Sequence, residues 1–197
     1  MGRRRTEMIE ETREKLIAAA RSAFASRGYA DTVMDELTNE AGLTRGALYH
    51  HFDGKRGLLE AVIGQIDDEM TQRLDRIMDE ADSHWEGLVE ELSAYVEMAL
   101  EPEIQRIVFL DGPAVLGNPS RWPSQLACVR TTAVALEKLI DEGTLVDLDP
   151  TAMAPLISGA ALSGALWIAN ADDPTQASKQ VVQNLAILLK GLKRHTT

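Results

Sequence analysis

The chain has 197 residues, of which 45% are hydrophobic, 26% charged and 5% aromatic. That length suffices for one large or two small domains with a real core, and the composition excludes disordered and fibrous classes. The net charge of −11 argues against nucleic acid as a partner, but the acid is unevenly placed: residues 1–60 carry 10 basic and 10 acidic side chains, and the remainder 10 and 21. The excess that would repel phosphate therefore lies outside the N-terminal part.

A lone cysteine, Cys128, excludes an internal disulfide framework and a multi-cysteine metal cage, and fits a reducing cytoplasm. It reads as a small buried residue in a helix rather than as a reactive thiol. At the N-terminus Arg3, Arg4 and Arg5 run into Glu7, Glu10 and Glu11 with no apolar stretch, so no secretory signal is expected and the location is cytoplasmic.

In chain order, Leu16, Ile17, Ala20, Ala23 and Phe24 recur at helical spacing and predict a first helix over residues 9–26, stopped by Gly28. Thr32 is placed to cap a short second helix with Val33, Leu37 and Ala41 on one stripe, ended by Gly42. Thr44 is placed to cap a third, in which Leu48 and Phe52 face inward with Ala47 while Thr44, Arg45, Gly46, Tyr49 and His50 face out. Asp53-Gly54 breaks it. A long fourth helix over about 55–81 carries Leu58, Leu59, Val62, Ile66, Met70, Leu74 and Ile77, too far to belong to a three-helix unit alone.

Further helices are predicted over 85–100, 104–111, 119–142, 150–170 and 174–192, with a break at Gly112-Pro113. Pro102, Pro119, Pro150 and Pro174 stand at or near starts, where the missing N–H costs nothing. No segment alternates as a strand does. The apolar run over 156–169 is shorter than the ~20 residues of a membrane span, and its glycines, alanines and serine suit close helix packing, so no membrane partner is expected. The fold class is all-α: a three-helix head (residues 1–54) and a larger helical domain (55–197), with the 55–81 helix connecting them.

Two short helices joined by a glycine turn, the second with a polar outer face, form a helix-turn-helix unit that presents its second helix to a major groove. Thr44 and Arg45 stand at that helix's N-terminus, where free N–H groups favour phosphate, and arginine can contact guanine in bidentate fashion. Gly46 inside a helix costs ~1 kcal/mol relative to alanine, which close approach of DNA to backbone would explain. Arg3, Arg4 and Arg5 read either as an arm reaching the minor groove or as a solvated tail.

The run Thr32-Val33-Met34-Asp35-Glu36-Leu37, the run from Ala41 to Phe52 and Lys55 resemble the DNA-binding signature of the TetR family, over about residues 9–61. The resemblance implies a two-fold dimer on double-stranded palindromic operator DNA. It implies that Thr32 caps the second helix and touches a phosphate, that Thr44, Arg45, Gly46, Tyr49 and His50 form the groove-facing surface, and that Lys55 holds another phosphate. The adjacent His50 and His51 point about 100° apart, with no carboxylate to complete a ligand set, so no metal and no other cofactor is expected. His51 reads as packing over the head.

The same resemblance implies that residues 150–170 and 174–192 pair with their counterparts in a second chain, and that the middle helices enclose a cavity for a small-molecule effector. Candidate lining residues are Tyr95, Met98, Arg106, Phe109, Trp122, Arg130, Trp167 and Asn170. The function implied is a ligand-responsive transcriptional repressor. The alternatives are an activator of the same fold, or a helical small-molecule-binding protein without a DNA-reading role. None of the common hydrolase, zinc-protease, P-loop or dinucleotide motifs is present, so no enzyme is expected.

Overall fold

The computed structural model describes residues 2–194, with side chains from Glu7 onward. Helix α1 (Gly2–Arg27) buries Leu16, Ile17, Ala20, Ala23 and Phe24 along one stripe and begins earlier than predicted. The backbone of Arg3, Arg4 and Arg5 thus continues α1 rather than forming an extended arm, while their side chains lie outside the described residues.

Helices α2 (Met34–Glu40) and α3 (Arg45–His51) pack on α1, with Leu37, Thr38 and Leu48 buried beneath them. Between them Gly42 takes φ +66°, a left-handed turn that side chains disfavour. Thr32 does not cap α2: the helix starts after Val33, which offers no side-chain cap and is 49% exposed, and the Thr32 hydroxyl donates to the Gly28 carbonyl at 2.8 Å. The backbone turn after α1 draws Thr32 inward to 3% exposure, one residue short of a capping position.

Helix α4 (Gly54–Glu80) is 27 residues, about 40 Å at 1.5 Å per residue, and passes from the head into the body. It is followed by α5 (His84–Glu97), which ends in a tight turn over Met98–Leu100. The predicted break at Gly112-Pro113 does not occur. The chain runs from α6 (Pro102–Ile104) through a wide π-helical stretch (Gln105–Asp111) into α7 (Gly112–Leu116), and the Gly112 N–H reaches back five residues to the Ile107 carbonyl. Widening the helix lets Pro113, which has no N–H, follow without ending it.

Helix α8 (Pro123–Asp141) begins later than expected, because Pro119–Arg121 form a separate short turn. Then come α9 (Pro150–Asn170) and α10 (Pro174–Lys190), whose caps Asp149 and Asp173 accept backbone N–H bonds next to a proline at the helix start. Among the described residues there is no strand, only one antiparallel bridge between Leu145 and Lys193.

Helix α9 packs against α5, α8 and α10. At 21 residues it is long and apolar enough to cross a membrane by length and composition, so the length argument drawn from residues 156–169 does not hold. Its burial within the fold instead covers 44% of the most apolar stretch. The apolar side chains left uncovered on α9 and α10 are Leu156, Trp167, Ile187 and Leu188, each more than half exposed.

Candidate functional site

The first candidate surface is the outer face of α3. Thr44 stands at its N-cap with extended backbone, and its hydroxyl accepts the Ala47 N–H at 3.2 Å. From that start, Leu48 at 0% exposure and Phe52 at 8% anchor the helix to the head core, while Thr44, Arg45, Gly46, Tyr49 and His50 are all exposed. A Cβ at Gly46 would meet only the Thr44 hydroxyl at 3.8 Å, so nothing within the chain requires glycine there. Arg45 rests on Asp35 of α2 at 3.2 Å, with both side chains about 60% exposed. An exposed pair of this kind is worth at most ~1 kcal/mol and leaves the guanidinium available.

Lys55 is less free. Its ammonium donates to the Ala30 carbonyl at 3.1 Å and sits 4.5 Å from the centroid of the Tyr29 ring, and partial burial lowers its pKa. It therefore pins the loop after α1 to the start of α4. His51 is half-buried with its ring 6.3 Å from that of Phe52, and no group of side chains suited to a metal occurs among the described residues.

The second candidate is a cavity of about 640 Å³ in the body, within the range of small-molecule sites. One face of α4 (Glu60, Gly64, Asp67, Asp68, Thr71, Asp75) forms one wall. Ser124, Ala127, Cys128 and Thr131 of α8 form the other, with Glu91 of α5, Leu116 of α7 and Trp122 between them. Exposed rim residues such as Asp68, Thr71 and Thr131 show that the cavity opens to solvent.

Burial pushes the Glu91 carboxyl up to about 7, with the negative charge of Asp75 adding to the effect. Burial likewise pushes Asp67 up to about 6; the Ser124 hydroxyl beside it opposes the shift and the negative charge of Asp68 adds to it. The Cys128 thiol is raised by burial and by Glu91.

Of the eight residues expected to line a cavity, Trp122 alone borders this one. Tyr95 and Phe109 meet edge to face at 6.1 Å beside a second void of only about 10 Å³, and Met98 is core. Arg130, Trp167 and Asn170 are exposed, Asn170 donating to the Leu166 carbonyl.

Arg106 belongs to the junction between head and body. It bonds Asp111 at 3.2 Å, whose carboxylate also accepts the Tyr29 N–H at 2.8 Å, and it lies so close to Gly28 that a Cβ there would fall 1.9 Å from its guanidinium. Arg21 of α1 adds bonds to Glu69 of α4 and Glu103 of α6, and Arg56 donates to the Val115 carbonyl.

The lining carboxylates were missed because polar positions on one helix face ordinarily mean solvation. The available signal was the trough of small residues at spacings of three and four on α8, opposite acids at similar spacing on α4.

A helix-turn-helix head joined by a continuous helix to a helical body containing a cavity is the architecture of a one-component bacterial regulator. Residues 16–62 match the model of bacterial regulatory proteins of the tetR family, and residues 85–192 match the tetracyclin repressor-like C-terminal domain. The chain belongs to the TetR family. A crystal structure of a TetR-family transcriptional regulator from Pectobacterium atrosepticum is 50% identical over 97% of this chain and 98% of that one, with a TM-score of 0.90. The HTH-type transcriptional regulator SrpR of Pseudomonas putida is 43% identical over 63 residues, 32% of this chain. The HTH-type transcriptional repressor KstR2 of Mycolicibacterium smegmatis is 31% identical over 99 residues, 50% of this chain. The chain spans only 30% of the length of SrpR and 48% of that of KstR2.

Proposed function

We propose that the chain is a ligand-responsive transcriptional repressor of the cytoplasm that binds a palindromic operator as a homodimer and is released by a small-molecule effector. The observation that carries this reading is α3: a capped helix, anchored by Leu48, whose whole outer face is exposed and carries groups suited to base edges and phosphates. Operator selection from random DNA tests it. A recovered palindrome with half-sites about one helical turn apart supports the reading, and recovery of no sequence preference refutes it.

The dimer is supported by the uncovered apolar side chains of α9 and α10. Leu156→Arg is expected to turn a sedimenting dimer into a folded monomer, because Leu156 is 67% exposed in the single chain. Gly164 is a poorer probe: a Cβ there falls 2.6 Å from Val181 of the same chain, so substitution disturbs internal α9–α10 packing.

Coupling between cavity and head has two routes. Helix α4 forms the cavity wall and enters the head, while Leu116 lines the cavity next to Val115 and a few residues from Asp111, both bonded to groups in or near the head. An effector that binds the operator-incompatible arrangement more tightly shifts the population, and by linkage operator DNA weakens effector binding by the same factor.

A further inference from the structure

The walls of the cavity between α4 and α8 carry a charge of one sign. Glu60, Asp67, Asp68, Asp75 and Glu91 line it, and no lysine, arginine or histidine does. Asp67 and Glu91 are withdrawn from solvent without a basic partner among the described residues. Holding an unpaired carboxylate in a partly dry site works against folding unless something compensates it.

Beside the same lining the Ser124 hydroxyl lies against the Asp67 carboxyl, and the Trp122 indole N–H has no partner within the chain. The described residues offer no metal-ligating group, and the space far exceeds what an ion needs. The rest of the wall is apolar or small: Ile63, Leu74, Leu116 and Ala127.

We propose that this cavity takes an organic cation with an apolar body, its charge set between Asp67 and Glu91 and its body against Trp122 and the small residues of α8. The inference rests on the effector reading above, and names the ligand class for that site. A neutral ligand leaves the carboxylates uncompensated and an anion is repelled by them, whereas a cation restores the pairing the chain lacks and gains from an aromatic neighbour.

The test uses two probes of nearly the same shape and opposite charge, tetraphenylphosphonium and tetraphenylborate, titrated into the full-length protein by calorimetry with tryptophan fluorescence in parallel. The cation is expected to saturate one site per chain and to change the fluorescence, while the anion does not bind there. Asp67→Asn and Glu91→Gln should each weaken the cation roughly tenfold, the order expected for one charge pair in a partly desolvated site. Asp147→Asn, on the exposed loop before α9, should not, which separates the site from general attraction to an acidic protein.

Equal binding of both probes, or cation binding indifferent to the two cavity variants, overturns the proposal. Site-specific cation binding that fails to release the selected operator upholds the cation site and removes the regulatory reading. Release of operator by a neutral or anionic compound that occupies the cavity, with no cation bound, leaves the regulator in place and removes the cation.

Discussion

The head and the body place their functional groups by opposite means. In the head, one seven-residue helix and its N-cap Thr44 carry the candidate α3 surface, and the division between Leu48 inside and Arg45, Tyr49 and His50 outside follows from helical periodicity alone. In the body, the cavity is bounded by residues from α4, α5, α7 and α8, and it exists because α4 and α8 stand apart there. A face that repeats along one helix is a local property, whereas a gap between two helices depends on everything that holds them at that distance.

The largest effect should come from Leu48→Ala. At 0% exposure beneath α3, Leu48 loses core contacts and leaves a cavity, at a cost of about 2–5 kcal/mol. Thermal unfolding should show an early transition for the head, with α4 onward melting later. A single transition shifted as a whole would mean that head and body unfold as one unit through α4 and the Asp111 junction, and the contrast between them would be functional only.

Glu91→Gln probes the body. A carboxyl raised to about 7 in the fold, from 4.5 when unfolded, binds more protons in the native state between those values. Stability from this group is therefore full below the unfolded value and is lost as pH rises through the folded one. The amide escapes that loss, so the unliganded variant should exceed the wild type by roughly 1–3 kcal/mol at about pH 8 and match it near pH 4. Chemical denaturation at the two pH values measures the difference. A variant less stable at both would make Glu91 a structural hydrogen-bonding group instead.

The comparison also explains what the sequence made legible. Helices over 150–170 and 174–192 are readable because Pro150 and Pro174 mark their starts locally, and the structure adds the caps Asp149 and Asp173. Thr32 was misplaced by one position, since the turn after Gly28 that buries it depends on the backbone path and not on residue type. The aromatic residues proposed for a cavity, Tyr95 and Phe109, pack against one another, because large side chains fill space. The α8 wall of the cavity between α4 and α8, Ser124, Ala127, Cys128 and Thr131, is small, and small residues are what leave a cavity open.

Arg45→Ala is expected to cost about 1–3 kcal/mol in operator affinity and relax preference at one base position. Its stability should change by no more than about 0.5 kcal/mol, because its pair with Asp35 is exposed. Lys55→Ala should behave differently from a plain phosphate contact: it removes the bond to Ala30 and the contact with Tyr29, so the head should lose stability as well as affinity. Fluorescence anisotropy on the selected operator, set beside a melting curve of each variant, separates the two residues. Equal melting temperatures would confine Lys55 to the DNA.

The smallest expected effect has the sharpest sign. Asp35 holds Arg45 at 3.2 Å from the first turn of α2, on the side of the head that carries the α3 surface. If the pair restrains the guanidinium from the groove, Asp35→Ala frees it and removes a negative charge that phosphates oppose, so operator affinity should rise by a few tenths of a kcal/mol and more at low salt than at high. If Asp35 instead orients Arg45 for its base contact, the same substitution lowers affinity and broadens sequence preference at the position that Arg45→Ala affects. Binding measured at two salt concentrations distinguishes the two, since charge relief is screened by salt while a lost orientation is not. We expect the gain, because a 3.2 Å contact between two side chains about 60% exposed is too weak to fix a long side chain in one geometry.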